Sequence, residues 1–176
     1  RKLVAQHQRF KETLARNLNS NLMKNTVVTV GRVSIDLYGI EAGASFGSEQ
    51  TFSKSVGGSP SNVAVAAAKL GNHAVLLTKV GSDALGQYIL NKLNTWNVDT
   101  QFVSSEPNGL TPVVLAALDP PEDPKLIFHR QPNAPDTTIV ANSVPASLID
   151  DCAVFWMSGC ALSNGETAKS SMHWLA

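Results

Sequence analysis

Two adjacent glycines, Gly57 and Gly58, stand directly before Ser59-Pro60-Ser61-Asn62-Val63-Ala64, and this stretch carries the clearest chemistry in the chain. Ser is favoured at a helix cap and Pro in the first turn, so Ser59 reads as the N-cap and Pro60 as the first helical residue. The Ala-rich run that follows ends at Gly71. Glycine lets backbone come close to a ligand, and the free N–H groups of a helix start favour oxygen-rich partners. Asn62 both donates and accepts, which suits a hydroxyl. A Gly-Gly pair before a helix also makes an ordinary tight turn, and the pair alone does not choose between the two. Asp36 places an acid at the carboxyl end of the β-branched run from Thr26 to Val33, where an Asp also commonly forms a turn.

The elements that must position these residues alternate along the chain. Thr26 to Val33 leads into Ser34-Ile35-Asp36 as one buried strand of a parallel sheet. Leu37 to Val56, with Gly39, Gly43, Gly47 and Thr51-Phe52-Ser53, reads as an excursion of two short strands. After the helix that starts near Ser59 come a strand from His73 to Val80 and a helix from Ala84 to Trp96. The second helix buries Leu85, Ile89, Leu90 and Leu93. Thr111 to Leu118 and Lys125 to Arg130 are two strands joined by Asp119-Pro120-Pro121-Glu122-Asp123-Pro124, and Ala153 to Met157 is a further buried strand. Glu166 to Ala176 reads as a helix without a C-cap signal, as in a chain that stops in mid-element. Strands alternating with helices imply an α/β fold with an inserted β layer.

Composition narrows the function classes. The 176 residues fit one domain, and 14 Lys plus Arg against 14 Asp plus Glu, scattered along the chain, argue against a nucleic-acid surface. The charged share of 16% lies below the roughly 25% usual for soluble chains, which fits a chain that has more protein packed against it. No apolar run approaches the ~18 residues of a membrane span, and Arg1 to Asn25 is too polar for a signal peptide, so the expectation is a cytoplasmic protein without a membrane partner. Cys152 and Cys160 lack CxxC spacing, which suggests neither a disulfide framework nor a zinc site. Met23 precedes the first strand and is a natural start; residues 1–25 then form an extension that need not be native. Leu3, Phe10, Leu14 and Leu18 recur at roughly helical spacing, so an amphipathic helix is the alternative there.

Gly57, Gly58, Pro60, Asn62, Ala64, Gly71 and Gly81 match, position by position, the first signature of the PfkB (ribokinase-like) carbohydrate kinases, which the chain strongly resembles. The resemblance runs from Gly31-Arg32-Val33-Ser34-Ile35-Asp36 to Met157-Ser158-Gly159. It is most similar to the 5-dehydro-2-deoxygluconokinases of inositol catabolism, through Gly-Arg-x-x-Ile-Asp-Leu, Phe52-x-Lys54-x-Val56-Gly-Gly-Ser-Pro and Phe128-His129-Arg130-x-x-x-Ala134-x-Asp136. Close competitors are 2-keto-3-deoxygluconate kinases and fructokinases.

The resemblance implies a three-layer α/β/α fold with a mostly parallel central sheet over residues 26–176. A small β lid from segments 37–56 and 111–130 would close over the sugar and pair with a second subunit's lid. It implies ATP and Mg²⁺ as cofactors of the whole enzyme and a sugar or sugar acid as small-molecule partner. Asp36 would bind sugar hydroxyls, Gly57 and Gly58 would present backbone to the sugar, and Asn62 would bind a hydroxyl. Arg130 would meet a substrate carboxylate with its guanidinium fork or remain a solvated lid arginine. Asp83 would cap the helix from Ala84. The family's second signature, an Asp-Thr-x-Gly-Ala-Gly-Asp run whose final Asp is the catalytic base, occurs nowhere in the chain. No catalytic residue is therefore expected here: the C-terminal part of the fold and its catalytic Asp would lie beyond the C-terminus. This portion alone would not transfer phosphoryl groups, and a non-catalytic sugar-binding module is the rival of another class.

Overall fold

Valine and threonine crowd the segment that opens the described structure, and such β-branched residues suit a strand buried on both faces. The computed structural model describes residues 11, 25–119 and 122–176. The expectations for residues 1–22 and Met23 fall outside the described residues, Lys11 excepted.

The elements are β1 (Thr26–Val30), β2 (Ser34–Gly39), β3 (Phe52–Gly57), α1 (Ser59–Lys69), β4 (His73–Gly81), α2 (Ala84–Thr95), β5 (Val98–Asp99) and β6 (Val103–Glu106). They continue with β7 (Val113–Ala117), β8 (Lys125–His129), α3 (Ala146–Asp150), β9 (Val154–Met157) and α4 (Gly165–Leu175), with short 3-10 turns at Pro135–Thr137, Ala141–Ser143 and Gly159–Leu162. The central sheet has the order β5-β4-β1-β9, with β6 also on β4, and every pairing in it is parallel.

Alternation along these strands builds a core on each face. Ala74, Leu76 and Val80 of β4 pack with Ala64 and Ala67 of α1 and Ile89 and Leu93 of α2. Val28, Val30, Val75 and Leu77 point the other way, to Ile139, Val144 and Leu148, with Trp174 of α4 beside them. Helices on both faces of a parallel sheet make the expected three layers. The fully buried Leu76, Ile89 and Leu93 each contribute roughly 1.5–3 kcal/mol by leaving water.

A second sheet, β3-β2-β7-β8, lies apart from this stack; β2 pairs antiparallel to β3 and parallel to β7, and β7 antiparallel to β8. Here the structure corrects the reading of Thr26 to Asp36 as one strand. Gly31 adopts φ +130°, which L side chains rarely adopt, and the chain leaves the central sheet there. Its N–H donates to the Leu77 carbonyl, and Thr78 Oγ1 donates to the Gly31 carbonyl at 2.6 Å, which pins the crossing point. Asp36 therefore sits within a strand of the second sheet, not at the end of the first.

A further correction concerns the start of α1. Gly58, at φ +102° and ψ +130°, occupies the N-cap, and among the described residues no side chain caps the helix; Ser59 and Pro60 lie in its first turn. The hydroxyl that serves this corner belongs to buried Ser61, whose Oγ lies 2.7 Å from the carbonyl oxygens of both Gly57 and Gly58. Asp83 caps α2 as expected: its carboxylate accepts from Gly86 N at 2.7 Å, and also from Thr111 N and Thr111 Oγ1, both at 2.8 Å. Burial alone would raise the Asp83 pKa, but these donors outweigh it and hold the carboxyl below its ordinary value.

Candidate functional site

Strand β2 alternates in the way a two-faced sheet demands. Ile35 and Leu37 turn into the core shared with α1, while Ser34, Asp36 and Tyr38 share the opposite face. Register extends that face across the sheet: Asp36 lies opposite Val114 and Tyr38 opposite Ala116, and these in turn lie opposite Phe128 and Leu126 of β8. The face looks onto the N-terminus of α1, and a cavity of about 230 Å³ lies between them. Gly58, Ser59, Pro60 and Asn62 line it from the helix, Arg32 from the crossing segment, and Ser158 and Cys160 from the chain after β9.

Three of the five residues expected from sequence, Asp36, Gly58 and Asn62, line this one cavity although 26 positions separate the first from the last. Gly57 does not line it, and its role is spatial: a β-carbon there would overlap the Asp36 carboxylate, so the missing side chain is what lets that acid lie flat against β3. Gly58 does the same for the crossing segment, because a β-carbon on it would collide with the Arg32 carbonyl and meet Val33 Cα at 3.0 Å. The glycine pair thus makes room for the strand residues that form the wall.

Asp36 accepts from Ser34 Oγ at 2.8 Å and from Tyr38 OH at 3.3 Å. Both donors are hydroxyls that can rotate away, so the carboxylate retains capacity for ligand hydroxyls. Partial burial, followed by the charge and hydrogen bond of Asp36, keeps the Tyr38 phenol above its ordinary pKa and hence a donor.

Arg130 is placed elsewhere. Its two terminal nitrogens donate to the two carboxylate oxygens of Asp136 at 2.7 and 2.6 Å, and Asp136 is only 4% exposed. Arg130 lines a separate concavity with Asp83, Thr111 and His129, not the cavity of Asp36. A guanidinium held in a bidentate pair has its best donor edge occupied, so the expected carboxylate site is not formed there.

Arg32, Ser34, Tyr38 and Ser158 were not singled out from sequence. The i, i+2, i+4 spacing of Ser34, Asp36 and Tyr38 was the available signal, and it becomes readable only once the strand begins at Ser34. Among the described residues no group of three or more His, Cys, Asp and Glu side chains could hold a metal ion. The cavity gathers hydrogen-bonding side chains, those of Arg32, Ser34, Asp36, Tyr38, Asn62 and Ser158, within a partly apolar lining. No helix of the described residues is long and apolar enough to cross a membrane.

The pfkB family carbohydrate kinase domain matches residues 24–173. A 5-dehydro-2-deoxygluconokinase of Listeria innocua is 29% identical over 156 residues, covering 88% of this chain and 48% of that protein; one of Clostridium beijerinckii is 28% identical over 153 residues, covering 85% and 44%. Among solved structures, an uncharacterized sugar kinase from Pyrococcus horikoshii in complex with ATP superposes with TM-score 0.74 at 24% identity, over 84% of this chain and 47% of that one. A fructokinase from Xylella fastidiosa gives TM-score 0.74 at 24% identity, over 85% and 46%. The chain spans about half the length of the curated relatives it matches.

Proposed function

Because this chain belongs to the pfkB family of carbohydrate kinases, we propose that it forms the acceptor-binding portion of a sugar kinase. The whole protein would transfer the γ-phosphoryl of ATP, with Mg²⁺, to a hydroxyl of a keto sugar acid such as 5-dehydro-2-deoxygluconate. The observation that carries this reading is the convergence of Asp36, Asn62 and the α1 N-terminus on one cavity. Asp36 accepts hydrogen bonds from acceptor hydroxyls, Asn62 exchanges them, and the first-turn N–H groups favour the oxygen-rich face of the molecule. Curated relatives named 5-dehydro-2-deoxygluconokinase support the substrate at 28–29% identity.

The second sheet supplies a lid in this reading. Its strand β8 is exposed along its whole length, with Leu126 and Phe128 on the cavity side. Closing these apolar side chains over the acceptor excludes water from the transfer step. The same exposed strand edge suits pairing with the lid of a second subunit. The 176 residues by themselves bind the acceptor without phosphorylating it, since the signature run that carries the catalytic Asp is not among them.

The test is a panel of 5-dehydro-2-deoxygluconate, 2-keto-3-deoxygluconate and fructose, assayed for ATP turnover with the complete polypeptide that carries this chain. The expected result is the highest kcat/KM with the first. ATP turnover that no sugar stimulates would overturn the kinase reading, and fructose turned over best would move the substrate to a neutral sugar.

A further inference from the structure

We infer that Arg32, together with the Ser158 hydroxyl, recognises a carboxylate on the acceptor. This rests on reading the cavity as the acceptor site, and it gives that site its selectivity for acids. Both residues line the cavity, and each carries a buried polar atom, Arg32 Nε and Ser158 Oγ, without a hydrogen-bond partner among the described residues. Buried donors are almost always paired in native proteins, so two orphans on one cavity wall mark a place where a ligand completes the bonding. The two atoms belong to neighbouring backbone: a β-carbon built on Gly31, one residue before Arg32, would lie 3.4 Å from Ser158 Oγ.

Charge points the same way. Arg32 forms no ion pair with any described residue, and the acid that shares its cavity, Asp36, takes its hydrogen bonds from Ser34 and Tyr38 instead. A half-buried guanidinium left unpaired is costly, and an anion that enters the cavity relieves that cost. The guanidinium fork matches two coplanar carboxylate oxygens, and a hydroxyl adds a third donor. The position of Arg32 is built in, because Gly58 at φ +102° packs its bare Cα against the Arg32 carbonyl. One cavity thus offers a cation to an acid group and a carboxylate to hydroxyls, which describes a sugar acid and not a neutral sugar.

The experiment measures calorimetric Kd values for 5-dehydro-2-deoxygluconate and for fructose, without nucleotide, on the complete polypeptide and its Arg32→Gln variant. Losing a charge-assisted hydrogen-bonded pair should weaken the acid by about 10- to 100-fold and leave fructose within about 2-fold. If Arg32→Gln binds the acid as tightly as the parent, or loses both sugars equally, the inference is overturned; equal loss would assign Arg32 to general architecture or to the transferred phosphoryl. Should Arg32→Gln fail to fold, Arg32→Lys decides. It keeps the charge but lacks Nε and the fork, so acid binding should still fall by at least about 3-fold with fructose unchanged, and unaltered acid binding sinks the idea. A parent that binds acid and fructose equally defeats the inference while the sugar site stands. A parent that binds neither defeats both.

Discussion

Two arginines separate two regions of this molecule. At the cavity, Arg32 has a buried Nε with no partner among the described residues, and the nearby Asp36 accepts from two hydroxyls. At the junction between β8 and the body, Arg130 is locked in a bidentate pair with Asp136. The Asp136 carbonyl accepts from Thr167 Oγ1 at 2.7 Å, and that oxygen in turn accepts from Ile139 N at 2.9 Å. The junction has satisfied its polar groups internally, and the cavity has kept them available. Saturated polar networks hold structure, whereas under-saturated ones in a cavity are where ligands bind.

The largest effect that would test this contrast is at the junction. Arg130→Ala leaves the carboxylate of Asp136 buried and uncompensated, which should cost about 3–5 kcal/mol in urea unfolding while leaving the acid-to-neutral sugar preference unchanged. A loss of acid preference without a loss of stability would return the carboxylate site to Arg130. Next comes Asp36→Asn, which keeps the shape but turns one acceptor oxygen into a donor; we expect acceptor kcat/KM to fall about 100-fold or more with unfolding shifted by under about 1 kcal/mol. Gly58→Ala should be felt in both regions' terms, because φ +102° and the Arg32 carbonyl both oppose a side chain. A destabilisation of about 2 kcal/mol together with weaker acid binding is expected, read by thermal melting and calorimetry.

Asp83 sharpens the comparison through pH. Its donors lower its pKa in the folded state, so its stabilisation is fully present above the unfolded carboxyl value of about 3.9 and disappears as pH falls through the lower folded value. Asp83→Asn should therefore cost about 1–2 kcal/mol at pH 7, and the difference from the parent should close in strong acid. A gap that stays constant down to pH 2 would mean that shape and not charge makes this cap. The smallest change is Tyr38→Phe, which removes a 3.3 Å bond to Asp36 on an exposed side chain; acceptor KM should rise by no more than about 3-fold.

Much of the architecture was legible because it depends on periodicity. The helices after Gly58 and Asp83, and the strands from His73 and Lys125, announce themselves by apolar spacing and by turn residues at their ends. The two-residue β5 and the exposed-polar β6 were not predicted: short strands take their pairing from β4 and not from their own sequence. The break at Gly31 was equally hidden. The residues on both sides of it favour strand, and nothing local says that the second strand joins another sheet.

For the site, sequence alone brought out the glycine pair and Asn62 as candidates, because their spacing is tied to one turn and one helix start, and Asp36 through the family resemblance. It determined too that Asp83 is a cap, since a cap acts within three residues of itself. Only the tertiary structure decided which arginine is free. Arg32 and Arg130 are the same side chain with the same charge, and what distinguishes them is a partner: Asp136 reaches Arg130 through a turn, while no described carboxylate reaches Arg32. Ion pairing depends on distances of a few ångströms in a folded chain, and residue order does not encode those distances directly. The glycine pair changes meaning for the same reason, from backbone offered to a ligand to space left for the Asp36 carboxylate and the Arg32 carbonyl.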